Sequence, residues 1–232
     1  METYKLATDE DFIQFEELVY NNQDWSNIHT SSTMNLTVHR KQSVPTDIFK
    51  VRCEMPDVEP ETLYNVLHDH NYRKTWDKNM IEGIVIDLLN PSNEIGYYSA
   101  KFPTPVSNRD FVNQRAWVVK GDRWIIINWS VKHKDYPEKS DYVRAVSILS
   151  GYHIEKRDGG GLVFTYITQS DIKGWIPVWI TNKLIGKFVP NTAHTLHRVA
   201  IEYPEWKKDN HPDWMPWYVV PWKKPALASE AE

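Results

Sequence analysis

Apolar positions along the chain recur either at helical spacing or at every second residue, as in a strand. The points where one spacing gives way to the other mark the predicted helices and strands. Helical spacing near the N-terminus predicts a helix over Asp9–Tyr20, with Asp9 as its cap. Short alternating segments follow and predict strands at residues 25–30, 36–39 and 48–54. Pro60 stands where a helix would place its first turn, and a second short helical segment covers residues 71–76.

The pattern then changes to alternation in longer runs. These runs predict six strands, at residues 81–89, 96–102, 110–119, 124–132, 142–156 and 162–171. Asn, Pro, Gly and Asp occupy the short connections between them, as expected of turns. Successive strands with such short connections predict an antiparallel meander.

A long helix is predicted over residues 177–203, with a kink at Pro190. One face carries the residues Ile185, Phe188, Val189, Thr192, Leu196, Val199 and Tyr203. The opposite face carries Lys183, Lys187, His194 and Arg198. Such a helix is either docked with a solvated basic face, or a lid whose inner face closes a cavity and whose outer face meets anionic headgroups.

This element order predicts an α+β fold in which the long helix packs across a curved antiparallel sheet and leaves a hollow between them. No repeat or linker interrupts residues 1–208, which we interpret as one domain. Residues 209–232 form a tail rich in Trp, Pro and Lys. Trp beside Lys suits a membrane interface, but the tail could equally fold back onto the domain.

Composition narrows the functional classes. The 232 residues include 11 Trp and 12 Tyr, which fit a wide cavity wall, an interface, a membrane contact or a large packed core. A net charge of −4 argues against a nucleic-acid partner. The single cysteine, Cys53, favours a reducing compartment, and neither a signal peptide nor a membrane span is recognisable. We therefore expect a cytoplasmic protein.

The sequence contains no recognisable catalytic motif. A nucleophile elbow and a glycine-rich phosphate loop are both missing. His68 and His70 are spaced by two, which suits chelation from a helix poorly, and His194 and His197 have no acidic third ligand nearby. Cys53 fits a buried structural thiol. We expect neither an enzyme nor a metal or other cofactor.

Several strings, in order, resemble the START (StAR-related lipid-transfer) domains. They are ETLYNVLHDHNYRKTWD, KFPTPVSNRDFV, SVKHKDYP, DYVRAVSILSGY, GWIPVWITNK and YPEWK. The closest resemblance is to the phosphatidylcholine-transfer branch and its member that also carries phosphatidylethanolamine. It implies a helix-grip fold around a lipid tunnel, no catalytic residues, and one bound phospholipid.

The resemblance also implies site residues. In the YRKxWD motif, Arg73 would meet the lipid phosphate while Asp77 holds the guanidinium. Tyr98 and Phe111 fall at two positions of the aromatic cage that holds choline in this branch. The third cage position falls on Ile148, which is not aromatic, and this departure leaves room for phosphatidylethanolamine or another headgroup.

We therefore expect a monomer that transfers phospholipid between membranes. The expected tunnel lining is Ile185, Phe188, Val189, Leu196 and Val199, with small Thr192 and Thr195 leaving room for an acyl chain. Lys183, Lys187 and Arg198 would contact the membrane transiently. The alternatives are a lipid or sterol sensor that does not shuttle, a helix-grip enzyme acting on an apolar substrate, and a structural interaction module.

Overall fold

A computed structural model describes residues 4–174 and 189–217. The elements, in chain order, are α1 (Asp9–Tyr20), β1 (Trp25–Ser31), β2 (Leu36–Lys41), β3 (Ile48–Met55), α2 (Pro60–His68), α3 (His70–Trp76), β4 (Met80–Asn90), β5 (Asn93–Ala100), β6 (Arg109–Lys120), β7 (Arg123–Ser130), β8 (Val143–Arg144), β9 (Val146–Lys156), β10 (Leu162–Asp171) and α4 (Val189–Asp209). A short 3₁₀ turn, Thr33–Asn35, joins β1 to β2.

The strands form one large curved sheet in the order β1-β2-β3-β10-β9-β7-β6-β5-β4. The predicted meander is confirmed from β4 to β7 and for β9 and β10, where neighbours pair antiparallel. β3 pairs with β10, more than a hundred residues later in the chain, and this pairing joins the N-terminal strands to the meander. Periodicity within a strand carries no information on such a distant partner.

The single strand predicted over residues 142–156 is two strands. β8 pairs parallel with β6, whereas β9 pairs antiparallel with β7 and β10. The Arg144 guanidinium donates from Nε and Nη2 to the two Asp110 carboxylate oxygens, at 2.9 and 2.8 Å. The backbone N–H of the buried Ala145 donates to the Asp110 carbonyl. These bonds hold the chain against β6 for two residues before it crosses to β7.

The sheet has two differently covered faces. On the inner face, α2 and α4 pack against side chains such as Val51, Ile154 and Phe164 to form the main core. On the outer face, α1 packs Phe12 and Phe15 against a second core that includes Ile127. Because successive side chains of a strand point to opposite faces, these two sets also indicate the face of the remaining strand residues wherever the register is regular.

The helix bounds agree with the sequence pattern, with two corrections. Asp9 is the first residue of α1 and not its cap: Thr8 precedes the helix, and its backbone N–H donates to the Asp11 carboxylate. α4 continues to Asp209, beyond the predicted end at Tyr203, and contains Pro204. The predicted helical residues before Val189 lie outside the described residues, and so does one side of the predicted kink at Pro190. No helix in the described ranges is long and apolar enough to cross a membrane.

Candidate functional site

Helix α3 places Arg73 and Asp77 one turn apart, at the edge of the inner face. The Arg73 Nε donates to Asp77 Oδ2 at 2.9 Å. The other carboxylate oxygen, Oδ1, accepts the backbone N–H groups of Asn79 and Met80, both at 3.2 Å. Asp77 is thus held by the start of β4 as well as by Arg73, which keeps the guanidinium on the site's side of the helix.

Strand β5 brings Tyr98 to the same carboxylate. Its hydroxyl donates to Asp77 Oδ2 at 3.1 Å, and the Arg73 guanidinium carbon lies 4.8 Å from the centre of the Tyr98 ring. Phe111 stands opposite Tyr98 in the β5–β6 pairing, with 6.5 Å between the ring centres. The structure therefore brings together the four residues Arg73, Asp77, Tyr98 and Phe111, which come from α3 and its end, β5 and β6. We call them the headgroup cluster.

The electrostatics keep a permanent cation in this cluster. Burial lowers the pKa of Arg73, but the Tyr98 and Tyr152 hydroxyls, once ionised at high pH, and the Asp77 carboxylate outweigh that effect, so the pKa is raised overall. Burial raises the pKa of Tyr98 to about 12, so its hydroxyl stays protonated and able to donate at neutral pH.

The guanidinium keeps capacity for a further partner. Of the Arg73 side chain, 28% is accessible, compared with 11% for Asp77. Among the described residues, Arg73 donates only from Nε, so the Nη1 and Nη2 groups have no protein acceptor there. Two donors with the planar geometry of a guanidinium suit a phosphate group.

Next to the cluster, seven small polar side chains form a continuous hydrogen-bonded band across the inner face. This polar strip crosses β6, β7, β9 and β10 and consists of Asn113, Asn128, Ser130, Ser147, Ser150, Thr168 and Ser170. Its shortest links are Ser130 to Asn113 Oδ1 at 2.7 Å and Ser150 to Thr168 at 2.8 Å. The inner face of the sheet therefore presents uncharged hydrogen-bonding groups beside its aromatic residues.

Ile148 faces away from the inner face of the sheet. The register between β9 and β10 shifts at Gln169/Ser170, so that Ile148 is the extra residue on β9. It lines a shallow pocket on the outer face together with Ile127, Trp129 and Leu149. The neighbouring side chains on the inner face are the hydroxyls of Ser147 and Ser150, so the position expected for a third cage residue carries no aromatic ring towards the site.

Comparison with known proteins identifies the family. A family model described as the START domain matches residues 6–207. The chain belongs to the START family. START domain-containing protein 10 of Mus musculus is 39% identical over 220 residues, which cover 93% of this chain and 75% of that protein. The phosphatidylcholine transfer protein of Mus musculus is 28% identical over 188 residues, covering 78% of this chain and 85% of that protein.

Solved structures agree with this assignment. The crystal structure of human STARD10 has a TM-score of 0.86 at 37% identity, and the match covers 93% of this chain and 89% of that chain. Human StAR-related lipid transfer protein 5, at 16% identity and a TM-score of 0.74, shares the fold, with 84% of this chain and 93% of that chain covered. The START resemblance and the α+β helix-grip fold predicted from the sequence are confirmed.

The predicted lining residues of this START domain have different surroundings. Leu196 and Val199 are buried in the main core, and the Val199 carbonyl accepts the Tyr72 hydroxyl at 2.9 Å. Thr192 and Thr195 are half-buried. Ile185 and Phe188 lie outside the described residues, as does the side chain of Val189. Their role as tunnel lining stays a prediction.

Of the three predicted membrane contacts, only Arg198 lies in the described residues; Lys183 and Lys187 do not. Arg198 is exposed and donates to both carboxylate oxygens of Glu202, one turn later in α4. It lines a groove of about 590 Å³ between α3 and α4, whose other walls include Trp76, Lys78 and Trp206.

Two of the histidines considered as metal ligands, His68 and His197, are held by contacts with other side chains. His68 is fully buried against Trp117 and Trp217, and burial lowers its pKa well below the usual value. His197 contacts the Asp57 carboxylate at 2.7 Å. Within the described ranges, no three His, Cys, Asp or Glu side chains are grouped so that they could hold a metal ion. The thiol of Cys53 is buried in the main core, which raises its pKa to about 12.

Sequence reasoning missed a second set of residues near the site. Asp69, between α2 and α3, is fully buried and contacts Tyr203 and Lys207 of α4. The sequence could have predicted part of this role, because an Asp directly before a short helical segment is a typical N-cap. Of the two interpretations of the C-terminal tail, the described part supports packing on the domain: the Trp217 side chain is buried there.

Proposed function

We propose that this START domain binds one phospholipid in the hollow between its sheet and α4 and transfers it between membranes, without catalysing a reaction. Two acyl chains contain on the order of thirty methylenes, and exposing each to water costs about 0.8 kcal/mol. A carrier that encloses both chains removes a barrier of more than about 20 kcal/mol. One of the relatives is named for phosphatidylcholine transfer, which supports this choice of ligand.

The observation that carries the proposal is the free edge of the Arg73 guanidinium. In our proposal, Nη1 and Nη2 bind the phosphate, while Asp77 and Tyr98 hold the guanidinium from the other side. The Arg73–Asp77 ion pair has no net charge, so it does not attract a phosphate by its total charge. Its free Nη1 and Nη2 groups would nevertheless donate two charge-assisted hydrogen bonds to the phosphate, in a place that water reaches only in part.

The headgroup beyond the phosphate would lie against Tyr98 and Phe111. A quaternary ammonium can be held by aromatic rings through cation–π attraction, and a primary ammonium can also donate to the oxygens of the polar strip. Both choline and ethanolamine headgroups are therefore compatible with the site.

We further propose that the chain acts as a monomer that touches membranes transiently through α4. The groove next to Arg198 contains Trp76, Trp206 and Lys78, and aromatic rings next to cations suit the headgroup layer of a bilayer. Lys183 and Lys187 would extend this basic surface.

The test combines native mass spectrometry with vesicle transfer, using protein purified from cells. We expect a one-to-one adduct with phosphatidylcholine or phosphatidylethanolamine in the wild type and a much smaller fraction of this adduct in Arg73→Ala. Arg52→Ala is the matched control, because Arg52 forms an exposed ion pair with Glu54. A phospholipid adduct without vesicle-to-vesicle transfer would indicate a sensor, and a persistently empty protein in the presence of lipid would contradict the proposal.

A further inference from the structure

The end of the described chain is built into the domain. α4 runs to Asp209, and the START model ends at residue 207. The chain then turns back: the Asn210 side-chain amide donates to the Trp206 carbonyl at 2.7 Å, and the Trp214 N–H donates to the His211 carbonyl at 3.0 Å. We call residues 207–217 the C-terminal clasp.

Trp217 closes the clasp onto α2 and β6. Its indole N–H donates to Asn65 Oδ1 at 2.8 Å, and its carbonyl accepts the indole N–H of Trp117 at 3.1 Å. The Trp217 ring stacks on His68 with 5.6 Å between the ring centres. Only 4% of Trp217 is exposed, so this side chain is packed like a core residue, whereas residues 211–214 and Pro216 before it are exposed.

Lys207 connects the clasp to the start of α3. Its ammonium donates to Asp69 Oδ2 at 3.0 Å and to the Trp214 carbonyl at 2.9 Å. The Trp214 and Trp217 rings lie 5.5 and 5.7 Å from the same nitrogen. The side chains of Lys207 and Asp69 are 10% and 0% exposed, so this ion pair is buried.

Asp69 transmits this contact to the helix that carries Arg73. Its Oδ1 accepts the backbone N–H groups of Asn71 and Tyr72, at 3.1 and 3.0 Å, and so caps α3. Its backbone carbonyl accepts the N–H of Arg73 at 2.9 Å. Its Oδ2 accepts the Tyr203 hydroxyl at 3.0 Å in addition to Lys207. One carboxylate therefore joins α3, α4 and the clasp.

We infer that the C-terminal clasp positions Arg73 for the lipid phosphate, with Lys207 and Asp69 as positioning residues. The inference rests on the phosphate role proposed for Arg73. α3 has only seven residues, too few to be stable without its cap and its packing. Without the ammonium of Lys207, the buried Asp69 carboxylate has no cation, and such a charge is relieved by water entry or by movement of the carboxylate. Either change loosens the cap and displaces the guanidinium one turn later.

The test compares two ligands that differ only in the phosphate-bearing headgroup. Binding of phosphatidylcholine and of diacylglycerol with the same acyl chains is measured for the full chain and for Lys207→Met. We expect phosphatidylcholine affinity to fall about tenfold, as is typical for coupling within a shared ionic network. We expect diacylglycerol affinity to change less than about twofold, and the Lys207→Met change to have no further effect on phosphatidylcholine binding in Arg73→Ala.

Lys208→Met is the matched control. Lys208 is the next residue of α4, and its ion pair with Glu205 is exposed at both ends. This variant should bind both ligands like the wild type. Lys207→Arg keeps a cation near Asp69 and should recover most of the phosphatidylcholine affinity. If Lys207→Met fails to fold, Tyr203→Phe can replace it, because this change removes one hydrogen bond to Asp69 and no charge. Tyr203→Phe should also lower the affinity for phosphatidylcholine more than that for diacylglycerol, but by a smaller factor.

Three results would overturn the clasp inference alone. The first is unchanged phosphatidylcholine affinity in Lys207→Met. The second is an equal loss of affinity for both ligands in Lys207→Met, which indicates a general loss of structure. The third is a Lys207→Met loss that adds fully to the loss in Arg73→Ala. Unchanged phosphatidylcholine binding in Arg73→Ala itself would instead overturn the phosphate role, and with it the basis of both proposals.

Discussion

The Arg73 guanidinium lies 4.8 Å from the centre of the Tyr98 ring, and the two side chains share one acceptor, Asp77 Oδ2. Arg73 comes from a short helix and Tyr98 from the middle of a strand. The shared carboxylate therefore joins helix and sheet at the place where we propose that the phosphate binds.

Tyr98→Phe tests the hydroxyl separately from the ring. The variant loses the hydrogen bond to Asp77 but keeps the aromatic contact with the guanidinium. A hydrogen bond of this kind contributes about 0.5–1.5 kcal/mol, so we expect phospholipid affinity to fall about two- to twelvefold. Tyr97→Phe is the control, because the neighbouring hydroxyl contacts Lys139 and not the headgroup cluster. Equal affinities for the two variants in a binding titration would contradict this role of Tyr98.

Ile148→Tyr tests the orientation of β9. If this position were part of a choline cage, a tyrosine there should increase the preference for phosphatidylcholine over phosphatidylethanolamine. Because Ile148 lines the outer-face pocket, we expect the preference to stay within about twofold of the wild type, far below the gain that a cation–π contact can provide. The measurement is competitive loading from mixed vesicles. Phe111→Leu is the comparison, and it should lower the relative uptake of phosphatidylcholine.

His153 predicts a dependence of stability on acidity. It is fully buried between α1 and the sheet, and burial, with a contribution from Arg123, lowers its pKa from 6.5 to about 4. The unfolded chain takes up the proton at higher pH than the folded protein. The contribution of neutral His153 to the free energy of unfolding is therefore complete above pH 6.5 and declines as the pH falls towards 4.

For this one group, the free energy of unfolding should fall by about 2.5 kcal/mol between pH 7 and 4.5. Urea unfolding at the two pH values measures it. His153→Gln should reduce the difference by a similar amount, whereas exposed His194→Gln should leave it unchanged. A pH dependence that is the same in His153→Gln and the wild type would show that another group is responsible.

Charge reversal at the three predicted membrane-contact residues tests the proposed membrane contact. Replacing Lys183, Lys187 and Arg198 together with Glu should slow phospholipid transfer from anionic vesicles, since each cation near an anionic surface contributes about 1 kcal/mol. Transfer between neutral vesicles should change much less, and one-to-one phospholipid loading should persist. Arg52→Glu, a charge reversal at an exposed ion pair of β3, is the control. Equal transfer rates from anionic vesicles before and after the triple change would rule out this surface.

Local patterns in the sequence were sufficient for the elements themselves. The bounds of α1 and β10 and the start of α2 follow from spacing and punctuation, because these depend on neighbours a few residues apart. The ordered START motifs likewise pointed to the family and to the cluster of Arg73, Asp77, Tyr98 and Phe111. The packing of the C-terminal tail was left open, because its prolines and tryptophans suit a membrane and a folded surface equally.

Only the tertiary structure decided where distant or displaced residues point. Asp69 and Lys207 are 138 positions apart, and neither carries a pattern that names the other. Ile148 faces outwards because one extra residue in β9 reverses the alternation of side chains, an effect that depends on the register with β10. The sequence by itself determined the elements and the family, since the elements depend on local periodicity and the family is recognised from short motifs. The pairing of buried charges and the face of each strand residue depend on partners that only the folded chain brings together.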